Sequence, residues 1–194
     1  MKAALIFHWP EMPALPPPEQ PVLIRVATTQ SRSTARQELR VVLRATLAAW
    51  SNLLPEQLPL RETAAGPVWP GALAGQALDI SFSYADGEGW IGLLRGGWIG
   101  LDVMPIQRIA EAEAVAQHFL EADELETIQQ SAHPALAFAT AWTTLEARLK
   151  CLKQPLRESS ASAGGRLEKK CATENLLQPN HFVVTVATAT QLAS

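Results

Sequence analysis

Three short apolar segments, each bounded by turn residues, most restrict the folds open to this chain. They cover Leu78–Ser83, Trp90–Leu94 and Trp98–Val103, and each has the length and composition of a buried or half-buried strand. Gly96-Gly97 separates the last two segments, and glycine accepts the positive φ angles of a tight hairpin turn. The pattern predicts an antiparallel sheet in the middle of the chain, with its last two strands paired as a hairpin.

Helical periodicity on both sides of these strands adds an α component. Apolar residues at helical spacing predict three helices: one capped by Ser31 or Ser33 and running to about Leu54, and two at about Ile109–Leu120 and Pro134–Leu152. We expect the acidic piece Glu121–Glu126 to connect the last two. Arg32, Arg36, Arg40 and Arg44 recur every four residues on the first helix, so they form one basic stripe along it.

The remaining segments predict further strands and two long loops. The strands are expected at Lys2–His8, Val22–Ala27, Leu58–Trp69 and His181–Thr188. Pro10–Pro21 is rich in proline and is expected to be an extended loop. Gln154–Asn180 is polar, contains two adjacent glycines, and is expected to be a poorly ordered loop. Strand–helix–strand elements occur in both halves, which indicates a mixed α/β fold.

Composition and charge exclude several classes of protein. Of the 194 residues, 47% are apolar, which allows a sizeable core. The net charge of −3 argues against a nucleic-acid partner. Cys151 and Cys171 have neither metal-ligand nor disulfide spacing, which fits a reducing compartment. Because Ala3–Phe7 is too short for a signal sequence and no apolar run reaches about 20 residues, we expect a soluble cytoplasmic protein without a membrane partner.

Widespread catalytic signatures are missing from the sequence. It contains no glycine-rich phosphate loop, no dinucleotide-binding fingerprint and no nucleophile elbow. Its histidines never fall at zinc-ligand spacing, and an ordinary core or surface role explains each of them more simply; they are His8, His118, His133 and His181.

Two short segments remain as candidates for chemistry. In Gly100-Leu101-Asp102 an acid ends an apolar strand, where it would meet a hard cation or a polar ligand, or would cap a turn. In the segment from Trp142 to Lys150, helical spacing puts Trp142, Glu146 and Lys150 on one side of a helix. Glu146 and Lys150, four residues apart, could equally form a surface ion pair. Taken separately, each segment leaves both interpretations open.

Together with their surroundings, these segments resemble the 4'-phosphopantetheinyl transferases of the monomeric type. That family carries G-(I/V)-D-x-E and, further along, W-x-x-K-E-(A/S)-x-x-K, and Gly100–Met104 and Trp142–Lys150 stand here in the same order. The family's other elements have weaker counterparts over residues 30–155. These are Ser81-Phe82-Ser83 for S-H-S, Gly66-Pro67 for G-K-P, Arg36 on the preceding helix, and Phe119–Glu124 for F-x-x-x-E with a one-residue slip.

The sequence departs from the family pattern at four points. Phe82 replaces the histidine that the family uses on the nucleotide phosphate, and the lysine of G-K-P is missing. Met104 replaces the second acid, and Leu145 replaces the lysine before the key glutamate. The two acids Asp102 and Glu146 are therefore present, whereas several of the family's phosphate-binding residues are replaced or missing.

The resemblance implies a fold and a molecular organisation. The fold is an α+β pseudo-dimer of two similar halves, each a three-stranded antiparallel sheet with a packed helix. Residues 1–97 would form the half on the phosphate side of coenzyme A, and residues 98–194 would carry the metal and the catalytic groups. We expect this unit to act as a monomer.

The resemblance also implies a reaction. The family moves the 4'-phosphopantetheine arm of coenzyme A onto a serine of an apo acyl or peptidyl carrier protein, as in fatty acid, polyketide or nonribosomal peptide biosynthesis. It uses Mg²⁺ and releases adenosine 3',5'-bisphosphate. Asp102 and Glu146 would hold the metal, Glu146 would take the serine proton, and Lys150 would stabilise the leaving group.

Coenzyme A and the carrier protein would occupy separate parts of the site. Arg36, Arg32 and Arg40, with Ser81, would bind coenzyme A, and the carrier would dock on Pro105–Glu126. The alternative is a degenerate member that binds a carrier or coenzyme A without turnover. Retention of both Asp102 and Glu146 favours catalysis, because a chain released from catalysis has no physical reason to keep the pair.

Overall fold

The computed structural model describes residues 2–28, 31–64, 66–107, 111–156, 171–178 and 181–190. Within these ranges the chain forms strands, four α-helices and a short 3-10 helix at Pro55–Gln57, in an order that mixes helices and strands. The elements are β1 Leu5–His8, β2 Val22–Ala27, α1 Arg32–Ser51, β3 Arg61–Thr63, β4 Gly66–Val68, β5 Ala72–Leu73, β6 Gln76–Ala85, β7 Glu88–Arg95, β8 Gly97–Pro105, α2 Ala112–Phe119, α3 Ala122–Gln130, α4 Pro134–Cys151, β9 Ala172–Gln178 and β10 Phe182–Thr190. The mixed α/β class predicted from the sequence is confirmed.

The first half of the chain builds a five-stranded sheet in the order β1-β2-β7-β6-β5. β1 and β2 run parallel, and the other neighbours run antiparallel. Helix α1 covers one face because its apolar residues recur at helical spacing. Leu39, Leu43 and Leu47 are fully buried in one core cluster with Ile24 and Ile91 of the sheet. The expectation of three strands in this half was wrong, because β1 and β5 extend the sheet at its edges.

The second half builds a three-stranded antiparallel sheet, β8-β10-β9, on which α4 packs. The close packing of α4 depends on Gly100 of β8. A Cβ atom at this position would lie 1.9 Å from the carbonyl oxygen of Ala147 and 2.4 Å from the amide nitrogen of Cys151. Because Gly100 has no side chain, the backbone of α4 can contact β8 at this position, two residues before Asp102.

Side chains of β6 join the two sheets by accepting hydrogen bonds from the backbone of β8. Three alternate residues of β6 face β8, as period-two strand geometry requires. The bonds run from Ile99 N to Asp79 Oδ2 (2.8 Å), from Leu101 N to Ser81 Oγ (2.9 Å) and from Val103 N to Ser83 Oγ (3.1 Å). These side chains satisfy amide groups of an edge strand, which would otherwise be unpaired.

The predicted hairpin at Gly96-Gly97 was wrong. β7 and β8 follow each other directly, yet they belong to different sheets. Gly96 has a φ of +81°, so the turn residue was identified correctly. The chain uses this turn to cross between sheets, where β8 pairs with β10. Sequence spacing could not reveal this, because the partner strand lies almost eighty residues further on.

Other local predictions also needed correction. Leu58–Trp69 is not one strand but contains the hairpin β3–β4. The acidic piece Glu121–Glu126 is not a connection: Glu121 caps α3, and the Glu124 side chain accepts from the Glu121 amide to close a capping box. The polar stretch Gln154–Asn180 contains β9, and the rest of it, residues 157–170 and 179–180, lies outside the described residues. None of the helices in the described ranges is long and apolar enough to cross a membrane.

Candidate active site

An open pocket of about 620 Å³ lies where α1, the ends of β6 and β8, and α4 meet. Most sequence-predicted site residues line it. Its lining comprises Arg32, Arg36, Arg40, Thr63, Ala64, Gly66, Phe82, Ser83, Tyr84, Ala85, Asp102, Val103, Met104, Pro105, Trp142, Glu146 and Lys150. Both halves of the chain therefore contribute to one pocket.

Asp102 is the most enclosed acid of the pocket, with 8% of its surface exposed. Its Oδ1 accepts a hydrogen bond from Ser83 Oγ (2.8 Å) and one from Lys150 Nζ (2.7 Å). Lys150 also donates to the carbonyl oxygen of Leu101 (3.0 Å). The close packing of α4 on β8 at Gly100 brings Lys150 next to Asp102. Asp102 is thus held by one neighbour from the first sheet, Ser83, and one from helix α4, Lys150.

Glu146 lies one turn before Lys150 on α4 and lines the same pocket. Burial raises the pKa of its carboxyl group, the Lys150 ammonium lowers it, and the Asp102 carboxylate raises it, with a net shift upward. A carboxyl group whose pKa is raised by burial and by a neighbouring acid in the same pocket is common at catalytic sites. The interpretation of Glu146 and Lys150 as a simple surface pair does not fit, because Lys150 pairs with Asp102 instead.

The donor set of the pocket fits a hard divalent cation. Asp102 and Glu146 offer carboxylate oxygens, which Mg²⁺ prefers, whereas the Met104 thioether is a soft donor and does not suit it. Over the described part of the chain, no group of three or more potential metal-ligating side chains occurs. A magnesium ion here would therefore depend on two carboxylates, with the remaining ligands from water and substrate phosphates.

Two arginines of the α1 stripe converge on Tyr84. The Nε atoms of Arg32 and Arg36 both donate to the Tyr84 hydroxyl, the latter at 3.0 Å. Their guanidinium carbons lie 5.4 and 5.6 Å from the centroid of the tyrosine ring, within the range of cation–π attraction. Tyr84, the single tyrosine of the chain, was not among the sequence-predicted site residues. The sequence did offer one indication: Tyr84 directly follows the Ser81-Phe82-Ser83 segment, which has a counterpart in the family pattern.

Arg40 lines the pocket but is engaged by an acid. Its Nε and Nη2 donate to the two carboxylate oxygens of Glu62, each at 2.9 Å. This bidentate pairing lowers the pKa of the Glu62 carboxyl group. Arg40 therefore brings less uncompensated positive charge to the pocket than Arg32 and Arg36 do.

The structure does not bring Ser81 into the pocket. Its side chain is buried, and its Oγ accepts the hydrogen bond from Leu101 N. Ser83, two residues on, lies at the pocket and holds Asp102. Sequence reasoning missed Ser83, although both serines of the Ser81-Phe82-Ser83 segment were visible.

Apolar side chains surround the acidic part of the site. Trp142 lines the pocket and stacks on Phe138, with ring centroids 6.2 Å apart. Leu145 packs with these residues against the core of the α2–α4 cluster. It is therefore part of the apolar packing and does not line the pocket, where a phosphate-binding lysine would be needed.

Comparison with known proteins gives a family match in the second half of the chain. Residues 99–175 match the family model of the 4'-phosphopantetheinyl transferase superfamily. No match is found among curated proteins. The matched stretch begins just before Gly100 and includes Asp102, Glu146 and Lys150, which are the residues whose order suggested the resemblance. The second half of the chain is therefore similar to the 4'-phosphopantetheinyl transferase superfamily, and the match supports membership of that superfamily.

Proposed function

We propose that the protein transfers the 4'-phosphopantetheine arm of coenzyme A to a serine of an apo acyl or peptidyl carrier protein, with magnesium. One observation carries the proposal: the same pocket is lined by two acids and a lysine and by two arginines that have no acidic partner among the described residues. Paired acids suit a metal-assisted step, and free guanidinium groups suit the phosphates of coenzyme A.

The acids and Lys150 would act on the reacting phosphate. Asp102 and Glu146 would hold the magnesium ion, which supplies charge neutralisation at the phosphate oxygens when bound. Glu146 would accept the proton of the carrier serine as its oxygen bonds to phosphorus, directly or through a water. The phosphoanhydride bond breaks, and adenosine 3',5'-bisphosphate leaves with its new charge next to Lys150. Ser83 keeps Asp102 oriented through its hydrogen bond.

Coenzyme A would be bound mainly by α1. Arg32 and Arg36 would contact the nucleotide phosphates, and Arg40 would contribute less because Glu62 already balances its charge. Ser81 would support the site indirectly, through the backbone of Leu101. The carrier protein would dock on Pro105–Glu126.

We also propose the pseudo-dimeric organisation that the family suggests. Residues 1–97 and 98–194 each hold antiparallel strands backed by one long helix, α1 or α4, and the pocket lies between them. The first half adds β1, β5 and the hairpin β3–β4. The unit would work as a monomer in the cytoplasm.

The mass of an apo carrier protein tests this function. Wild-type protein is incubated with apo acyl carrier protein, coenzyme A and magnesium chloride, and the carrier is then weighed by mass spectrometry. We expect it to gain one phosphopantetheine arm, and a carrier whose acceptor serine is replaced by alanine to gain none. Without magnesium and with a chelator present, the carrier mass should not increase. Coenzyme A binding without any mass gain on acyl or peptidyl carriers would indicate the non-catalytic alternative.

A further inference from the structure

The Tyr84 hydroxyl is the shared acceptor for two arginines that lie one helical turn apart. Arg32 and Arg36 both use Nε to reach it, and both guanidinium groups lie over its ring. Burial raises the pKa of the phenol, but the hydrogen bonds and positive charges of the two arginines lower it by more, so the net shift is downward. Tyr84 is therefore in contact with two cations through both its hydroxyl group and its ring.

This arrangement leaves the terminal nitrogens of both arginines available. Within the described ranges, neither Arg32 nor Arg36 has a carboxylate partner, whereas Arg40, on the same stripe, is paired with Glu62 at both oxygens. With Nε held by the phenol, the two Nη atoms of each guanidinium remain to contact a ligand in the pocket that Arg32, Arg36 and Tyr84 line together. Two fixed cations match the charge of a phosphate monoester, which approaches two negative charges near neutral pH.

We propose that Tyr84 is a positioning residue that orders Arg32 and Arg36 into a binding site for a phosphate monoester, and that the 3'-phosphate of coenzyme A is the group bound there. The identification of coenzyme A rests on the proposed function. The site would then distinguish coenzyme A from 3'-dephospho-coenzyme A, a molecule that has the same reacting pyrophosphate but lacks the monoester.

Nucleotide binding tests the site without any turnover. Calorimetry would compare coenzyme A with 3'-dephospho-coenzyme A, which has no phosphate monoester, on wild type, Tyr84→Phe and Tyr84→Leu. We expect wild type to prefer coenzyme A by at least about tenfold. Tyr84→Phe, which keeps the ring and loses the hydroxyl, should reduce this preference roughly five- to tenfold, and Tyr84→Leu should reduce it further. Arg44→Ala is the matched control: Arg44 continues the stripe but contacts the Pro55 carbonyl, and its loss should leave the preference unchanged.

The single tyrosine offers a second readout that needs no variant. Because the chain has one tyrosine, the ultraviolet absorbance of tyrosinate reports the ionisation of Tyr84 alone. Bound phosphate places negative charge beside the two arginines, which disfavours the phenolate. Coenzyme A should therefore raise the pKa of Tyr84, and 3'-dephospho-coenzyme A should raise it less. Equal shifts with both nucleotides, or an unchanged preference in Tyr84→Phe, would overturn the proposal.

Transfer assays separate this inference from the proposed function. If wild type modifies an apo carrier, the KM for 3'-dephospho-coenzyme A should exceed that for coenzyme A by about tenfold or more at similar kcat. Tyr84→Phe should reduce this ratio of KM values. Transfer with equal KM for the two donors would refute the Tyr84 site and leave the function standing. A Tyr84-dependent preference for coenzyme A over 3'-dephospho-coenzyme A, without transfer to any carrier, would support the site and refute the function.

Discussion

The ammonium group of Lys150 lies 2.7 Å from Oδ1 of Asp102, although 48 residues separate the two in the chain. Asp102 lies within strand β8 of the second sheet, and Lys150 lies in the last turn of the helix that packs on that sheet. This contact orders one of the two acids of the pocket and places a cation beside it. It is the link between the two sequence segments that suggested the family.

Loss of this cation should slow transfer far more than loss of a similar ion pair elsewhere. Lys150→Ala is expected to lower kcat about 100-fold or more, because the leaving group loses a fixed positive charge. Lys153→Ala is the matched control, since Lys153 pairs with Asp79 at the same 2.7 Å but does not line the pocket. Its kcat should stay within about twofold of wild type. Equal rates for the two variants would contradict the role of Lys150.

Gly100 should be intolerant of the smallest side chain. Gly100→Ala would drive a methyl group into the backbone of α4 at Ala147 and Cys151, so the free energy of unfolding should fall by about 3 kcal/mol or more. Gly92→Ala is the control, because its Cβ would meet the flexible end of the Ile99 side chain at 3.1 Å. Its free energy of unfolding is expected to fall by only about 1 kcal/mol. Urea denaturation measures both, and similar losses would show that α4 can move away from β8.

The neighbours of Glu146 should shift its titration in opposite directions. The pKa of its carboxyl group lies above the ordinary glutamate value, chiefly through burial. Removal of the Lys150 charge in Lys150→Ala should raise that pKa further, and removal of the Asp102 charge in Asp102→Asn should lower it. Carbon NMR of the Glu146 carboxyl group in metal-free protein measures the shift. A pKa that neither variant moves would mean that Glu146 does not face this cluster.

Arg36 should matter for coenzyme A and not for stability. Its side chain is exposed and reaches the pocket through Tyr84, so Arg36→Ala should raise the KM for coenzyme A by about tenfold or more and leave thermal unfolding unchanged. Arg44 lies one helical turn after Arg40 on the stripe, and Arg44→Ala should change neither the KM for coenzyme A nor thermal unfolding. A KM unaffected by Arg36→Ala would show that the stripe is only a solvated helix face.

Local sequence patterns predicted the positions of the helices and strands better than they predicted which strands pair with each other. The helices α1 and α4 were visible from apolar spacing, and the order of Gly100, Asp102, Glu146 and Lys150 indicated the acidic site. Strand pairing was not visible, because β8 pairs with a strand at the other end of the chain and joins β6 only through side chains. A turn glycine such as Gly96 fixes where the chain bends but not which sheet it enters.

The site was predicted incompletely for the same reason. Ser81 and Ser83 lie on the same face of β6 and look alike in sequence, yet only Ser83 is near enough to the strand end to line the pocket. Leu145 was interpreted as a missing phosphate ligand, whereas it packs in an apolar cluster with Phe138 and Trp142. Tyr84 was not predicted as a site residue, because its role comes from contacts with two arginines on a different element.

The rate of phosphopantetheine transfer by Glu146→Gln tests the central claim most directly. Glutamine keeps the size of the side chain but can neither take the serine proton nor offer a charged metal ligand. Glu56→Gln, an exposed site outside the pocket, serves as the control. With apo carrier, coenzyme A and magnesium, we expect the carrier mass to increase at least about 1,000-fold more slowly with Glu146→Gln than with wild type, and at the wild-type rate with Glu56→Gln. Transfer by Glu146→Gln at the wild-type rate would contradict the account.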